Sequence, residues 1–519
     1  MWGRDSDNPP EEVPLRQGIM NGAIPNSRDG DIEIPLVAGN AEVAYGDGIG
    51  PEIMQAVLYI LKEASARIRI EIVEVGEKLY QKYYSSGIAQ DTWQSLARTK
   101  ILLKAPITTP LGGGYKSLNV TLRKALSLYA NIRPAISYAP FVRTLHPNLN
   151  VVIVRENVEG LYAGIEYRQT HNVYESLKLI SRVGSERIIR YAFEYAIKNN
   201  RKKVTCFSKD NIMKLSDGIF HKVFEEIASK YKQIQSDYYL IDIGTARLAT
   251  QPELFDIIVT SNLYGDIISD VSAEISGSVG LAGSANIGQN YALFEAVHGS
   301  APDIAGRNLA NPSGLLNAAI MMLVHIGQQD IATLIENAWK KTIEDGVHTG
   351  DIYNDKISSK KVGTKEFADE VVKRLGTEPS TLKAAIYSSP NAQQQTIEHI
   401  YSINNKEVKE LVGSDIFIQM VALTAHEVAE KIQTISLGDL ELKTVSSMGL
   451  KLWPRDERFE LLSDHWCCRF MAKKDGERIT HLSIAHLLES LSKAEIDFIK
   501  IENLFEFDKK AGYSLAQGE

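Results

Sequence analysis

Three cysteines in 519 residues, Cys206, Cys467 and Cys468, are too few for a disulfide framework, and adjacent cysteines rarely bond to each other. A reducing compartment is therefore expected. No apolar run approaches the roughly 18 residues that a bilayer span needs. The opening "MWGRDSDNPPEEVP" is acidic and lacks an apolar core, so it reads as neither a secretory signal nor a typical transit peptide. A cytoplasmic protein without a membrane partner is the expectation. Excess positive charge is missing as well. A net charge of −8 gives no electrostatic reason to expect nucleic acid. Small anionic ligands stay open, because local arginines can override the global balance.

What is present is ordinary for a globular chain, 44% apolar and 24% charged, with length for about three domains. Residues 1–34 mix Pro, Asp, Asn and Gly without periodicity and read as a disordered tail. From 42 to 380, strand-like runs alternate with helical patterns, as in "KKVTCFSKDNIMKLSDGIFHKVFEEIASKY". That alternation predicts an α/β fold with a largely parallel sheet. A Gln-, Asn- and Ser-rich stretch over 385–411 reads as a connector. The last hundred residues suggest a β-α-β-β-α-β order, the pattern of a ferredoxin-like α+β module. His465 beside Cys467 and Cys468 has the wrong spacing for zinc and alternates like a strand.

Several stretches carry chemistry. "GDGIG" at 46–50 follows a strand and opens a helix, but Ile53 stands where a dinucleotide fingerprint has its third glycine. A tight turn is the safer reading. In "ITTPLGGGYKSLNVTLRKALSLYANIRP", a triple glycine precedes the neutral hydrogen-bonding residues Ser117 and Asn119, then Arg123 and Arg133, with Arg155 further on. Arginine forks hold carboxylates bidentately, so a substrate with several carboxylates is suggested if folding gathers them. Each alone reads more readily as a solvated surface residue. Asp266 and Asp270 lie four apart in "NLYGDIISD" and share a helix face. They read either as oxygen ligands for Mg²⁺ or Mn²⁺ or as a solvated acidic face. Tyr162 and Lys209 are candidates for proton transfer once a neighbour perturbs them.

Together "TTPLGGGYKSLNVTLRKALSLYANIRP", "VVIVRENVEGLYAGIEY", "FSKDNIMKLSDG", "SNLYGDIISD" and "FEAVHGSAPDIAGRNLANPSG" strongly resemble the isocitrate dehydrogenases. These belong to the β-decarboxylating dehydrogenases, alongside isopropylmalate and homoisocitrate enzymes. The match spans about 40–380, and the C-terminal extension resembles that of a larger bacterial subgroup. The resemblance implies the family's non-Rossmann large and small domains: 35–136 with 281–380, and 137–280 carrying an intersubunit clasp. A linker at 381–411 and an α+β module at 412–519, for oligomerisation or regulation, complete the expected organisation. It also implies roles. Thr109, Ser117, Asn119, Arg123, Arg133 and Arg155 would bind isocitrate, and the polar Ser117 and Asn119 argue against isopropylmalate. Asp242, Asp266 and Asp270 would hold Mg²⁺ or Mn²⁺. Tyr162 would protonate the enol and Lys209 take the hydroxyl proton, with Lys209 and Asp242 donated by a neighbouring copy. At least a homodimer follows, with a tetramer left open. Rival readings are a homoisocitrate or isopropylmalate enzyme and a non-catalytic regulatory subunit.

The resemblance places the cofactor on Asn211, His298, Gly299, Ala301, Asp303, Ile304 and Asn311. NADP-using relatives commonly carry Lys then Tyr where this chain has Asp303 and Ile304. "GVHTGDIYND" likewise lacks the Tyr and Arg of the NADP forms. A carboxylate repels a 2′-phosphate and accepts hydrogen bonds from a ribose diol, so NAD is the expected cofactor, with NADP the alternative.

Overall fold

The computed structural model describes residues 39–77, 79, 87–108, 117–387, 407–454, 463–474 and 478–517. The expected tail, Thr109, the triple glycine and most of the expected linker lie outside the described residues.

A ten-stranded sheet forms the body of the chain. Its first strands are β1 (Gly39–Ala44), β2 (Ile68–Val73), β3 (Ile101–Lys104), β4 (Ala130–Ile136) and β5 (Asn150–Glu156). A short hairpin, β6 (Glu166–Arg168) with β7 (Tyr174–Ser176), projects from the body. The sheet then continues with β8 (Lys203–Ser208), β9 (Gln235–Leu240), β10 (Ile257–Thr260), β11 (Gly283–Ile287) and β12 (Ala292–Ala296). In space the order is β2-β1-β3-β12-β11-β4-β5-β10-β8-β9. Strands such as "VVIVRE" are buried on both faces, as a sheet covered by helices on each side requires. Pairing is parallel toward both edges but antiparallel at the centre, between β12 and β11, β11 and β4, and β4 and β5. The expected parallel sheet is thus mixed. Four residues join β11 to β12, too few for the crossover that a parallel pair needs. The body fits the expected large-sheet α/β class.

"GDGIG" is a tight turn. Gly48 has φ +59°, and a Cβ there would stand 2.0 Å from the Ser300 carbonyl oxygen, so the turn packs against the loop after β12.

Val347–His348 (β13) and Lys360–Lys361 (β14) pair separately. The C-terminal unit is a six-stranded antiparallel sheet of β15 (Lys409–Gln419), β16 (Leu440–Ser447), β17 (Leu450–Trp453), β18 (His465–Ala472), β19 (Phe498–Phe507) and β20 (Lys510–Ala511). Helices Ala425–Gln433 and His481–Lys493 give the expected β-α-β-β-α-β order, extended by β17 and β20. Its own core gathers Ile416, Ile418, Trp466 and Phe470. Cys467 and Cys468 are free on β18, and burial pushes the Cys467 thiol up to about 12. No group of three or more metal-ligating side chains occurs among the described residues. Nor is any described helix long and apolar enough to cross a membrane. This sheet touches the hairpin: the Lys500 ammonium pairs with Glu175, and Asn172 Nδ2 donates to Asp464 at 3.1 Å.

One core group makes stability pH-dependent. Glu42 on β1 is fully buried and neither carboxylate oxygen has a hydrogen-bond partner; burial lifts it to about 7, against a smaller opposing pull from Ser95. The folded state therefore keeps a proton that the unfolded chain releases, and stability falls as pH rises from 4.5 through 7. Glu42→Gln is expected to gain about 2–3 kcal/mol on wild type between pH 5 and pH 8, read by urea unfolding at both values. A pH-independent difference between the two proteins would refute it.

Candidate active site

A cavity of about 260 Å³ opens where the central strands end, lined by Ser117, Asn119, Arg123, Arg133, Tyr162, Asp266, Asp270, His298 and Gly299. A larger groove of about 1100 Å³ lies in the C-terminal unit, away from all these side chains.

Strands and one helix bring the cationic groups together. Arg133 sits on β4, Arg155 on the neighbouring β5, and helix Asn262–Ser276 crosses both. The crossing is close because Gly265 has no side chain: a Cβ there would stand 2.5 Å from Arg155 Cγ. Arg155 is fully buried, donating to the Asn262 carbonyl and side-chain oxygens and pairing with Asp266. Burial, then the neighbouring Arg133 and Arg123, pull its guanidinium down to about 9. Arg133 reaches Asp266 at 3.1 Å, Asp270 at 3.5 Å and the Ser269 hydroxyl at 2.7 Å. Burial alone would raise Asp266; Arg155 and Arg133 outweigh it and hold the carboxyl below its usual range.

The Tyr162 hydroxyl donates to Asp266 Oδ2, and Arg155 lies 4.8 Å from the tyrosine ring centre. Burial and that carboxylate push the phenol above its ordinary value, so it stays protonated. Three buried polar atoms at the cavity lack partners: Asn119 Oδ1, Arg123 Nε and His298 Nε2. Burial leaves such atoms costly unless something in the cavity meets them.

Two groups escaped sequence reading. Lys104 ends the apolar run of β3 and Glu295 sits inside that of β12; their backbones are register partners. Their side chains pair at 2.7 Å, and Arg123 meets the same carboxylate at 3.1 Å. Asn286 Nδ2 donates to it at 2.9 Å. A lone charge inside an otherwise apolar strand was the available signal.

Lys209 and Asp242 do not reach this cavity. They pair with each other at 2.8 Å on the surface, beside exposed Asn211. Around them and on the Asp266 helix, Ile212, Leu215, Ile243 and Ile267 are all close to half or more exposed. Asp266 and Asp270 are thus together, and Asp242 is apart from them.

The loop after β12 turns through Ala301 at φ +37°, leaving Asp303 exposed and Ile304 half-buried. Asn311 donates to Asp351 at 2.9 Å, and Asp351 also accepts from Ser278 and Thr349.

Residues 40–371 match the model of the isocitrate/isopropylmalate dehydrogenases. The chain belongs to that family. Residues 409–519 match the C-terminal domain of bacterial isocitrate dehydrogenases. A Rickettsia bellii relative, named isocitrate dehydrogenase [NADP], is 73% identical over 92% of this chain and 98% of its own length. A Thermus thermophilus relative of the same name is 39% identical over 92% of this chain and 95% of its own length. The crystal structure of the TT0538 protein from Thermus thermophilus superposes with TM-score 0.85 at 38% identity, covering 92% of this chain and 96% of that one.

These relatives overturn the expectation of NAD. Five Rickettsia members at 71–73% identity carry the NADP name. That expectation rested on two short segments, the Asp303–Ile304 pair and "GVHTGDIYND". Asp303 is exposed, where solvent weakens its repulsion of an anion. Arg307 lies one turn on, its guanidinium 3.5 Å from the Asp303 carbonyl, and Lys361 of β14 lies against Gly350, its Cε 3.5 Å from where a Cβ would be. Lys361 lies beyond both segments on which the expectation rested.

Proposed function

We propose that this family member catalyses NADP-linked oxidative decarboxylation of isocitrate to 2-oxoglutarate and CO₂. The observation that carries the reading is the cavity's charge. Four cationic side chains, Lys104, Arg123, Arg133 and Arg155, face three carboxylates, Glu295, Asp266 and Asp270. A tricarboxylate accompanied by one divalent cation brings a single net negative charge, which neutralises the excess. The unpartnered Arg123 Nε, a donor, suits the extra carboxylate that separates isocitrate from an apolar-tailed analogue.

Asp266 and Asp270 supply hard oxygen donors suited to Mg²⁺ or Mn²⁺. Such an ion, when bound, lowers a hydroxyl pKa and stabilises negative charge on oxygen. One chain offers two of the expected three carboxylates. Asp242 would complete the set from a second copy, bringing Lys209 with it. The exposed isoleucines and leucine around both halves favour such pairing.

Within that arrangement Arg123, Arg133 and Arg155 orient the carboxylates and Lys209 accepts the hydroxyl proton. NADP, when bound, would supply the hydride acceptor for the C2 hydrogen, and the 298–311 loop would hold its adenosine end. The C–C bond to the β-carboxyl then breaks, CO₂ departs, and Tyr162 returns a proton to carbon. Free cysteines suit a reducing cytoplasm.

Initial rates with isocitrate and Mn²⁺ test this directly, with NADP and NAD compared side by side. Turnover with NADP at least about tenfold above that with NAD, a transition-state difference of about 1.4 kcal/mol, is expected. Preference for NAD would refute the cofactor reading; turnover of isopropylmalate but not isocitrate would refute the substrate.

A further inference from the structure

We infer that Asp217 is a positioning residue that sets the reach of Lys209, an inference resting on the proton-acceptor role proposed for that lysine. Asp217 opens helix Ser216–Ala228 and is 2% exposed. Its carboxylate does not touch the cavity. Instead Oδ2 accepts the Lys209 backbone N–H at 2.7 Å, and Oδ1 pairs with the Lys178 ammonium. The Tyr264 ring stands beside this pair, its centre 4.9 Å from the Lys178 ammonium.

A buried carboxylate is costly unless charge and hydrogen bonds meet it, and here the Lys178 ammonium and the Lys209 N–H do. Lys178, Tyr264 and Lys209 come from three separate segments. Lys178 follows the hairpin strand β7, Tyr264 precedes Asp266 by two residues on its helix, and Lys209 begins the loop after β8. The loop itself is tightly wound: Met213 N–H donates to the Lys209 carbonyl at 2.9 Å, and Asp217 N–H to the Met213 carbonyl at 3.0 Å. Lys209 is consequently held at its backbone by Asp217 and at its ammonium by Asp242. A long flexible side chain delivers a proton acceptor accurately only if its root is fixed, and Asp217 fixes the root.

Asp217→Asn keeps the shape while removing the charge that anchors Lys178. Misplacing a reacting group by about 1 Å costs on the order of 100-fold in rate, so kcat for isocitrate oxidation should fall about 10- to 100-fold. KM should change by less than about threefold, because no substrate contact is lost. The discriminating readout is decarboxylation of added oxalosuccinate, which needs no hydroxyl proton acceptor. It should stay within about twofold of wild type, since the positioning of Tyr162 is untouched. Lys178→Met should reproduce the same split, and both full-length variants are assayed well below the unfolding temperature found for each, since losing one member of this buried pair also costs stability. Loss of both partial activities together would mean a merely structural role and overturn the inference. Unaltered oxidation in Asp217→Asn would also overturn it while leaving the lysine assignment standing. Retained oxidation in Lys209→Met, run in parallel, would instead remove the assignment beneath it.

Discussion

Tyr162→Phe is expected to lower kcat by about 100- to 10,000-fold, the range that a positioned proton donor contributes. The substitution removes one oxygen and little else. The ring remains for Arg155 to lie over, and Asp266 keeps both arginines, so the cavity's cationic wall stays in place. Substrate KM should therefore move far less than kcat, marking an interaction made in the transition state. Stability should change by only about 1 kcal/mol, the ordinary net worth of a hydrogen bond. The chemistry explains why the loss is large. Burial and the Asp266 carboxylate keep the phenol above its ordinary value, so it holds its proton at neutral pH and can give it up only to a strongly basic centre. Steady-state kinetics on the purified variant decides the matter. A kcat within about threefold of wild type would remove Tyr162 from proton transfer.

The second large effect concerns stability. Glu295→Gln is expected to destabilise the fold by about 3–5 kcal/mol in urea titration, the usual consequence of removing one member of a buried ion pair. Lys104 is 1% exposed and would keep its charge with no carboxylate beside it; Arg123 would lose the same partner. Burial alone would raise the Glu295 carboxyl, but Lys104 and Arg123 reverse that and hold it well below its normal value. Its stabilisation is accordingly complete above the unfolded carboxyl pKa and is lost only as pH falls through the lowered folded value. The gap between wild type and variant should stay constant from about pH 5 to pH 9 and narrow only in strong acid. A gap that closes near neutrality would contradict the ion-pair account. Arg123 also lines the cavity, so a raised KM for isocitrate should accompany the lost stability.

Much of the fold was legible because its signals are local. Period-two apolar runs and capped amphipathic helices follow from neighbouring residues, and the C-terminal order emerged from them alone. Arg123, Arg133, Arg155, Tyr162, Asp266 and Asp270 could be nominated because their motifs are dense, and folding does gather them. Long-range pairing was not legible. Lys104 and Glu295 meet only because β3 and β12 align in register, and nothing near either residue announces it. The antiparallel pairing of β11 with β4 is invisible for the same reason. The cofactor expectation failed because the Asp303–Ile304 pair and "GVHTGDIYND" were read locally, without cations such as Lys361 on a later strand.

The contact between the C-terminal sheet and the hairpin has an entropic consequence. Two strands of three residues each make a marginal structure in water when left alone. Here Lys500 and Asp464 hold the ribbon from one side, while Lys178, just past its last strand, is anchored on Asp217. The ribbon's conformational freedom is already spent within the single chain. Another surface meeting Tyr167 and Tyr174, both more than half exposed, would find them pre-organised and would not have to order them. The C-terminal hundred residues thus act as a splint, far from the cavity, for a ribbon whose last strand runs on directly into the lysine that Asp217 holds.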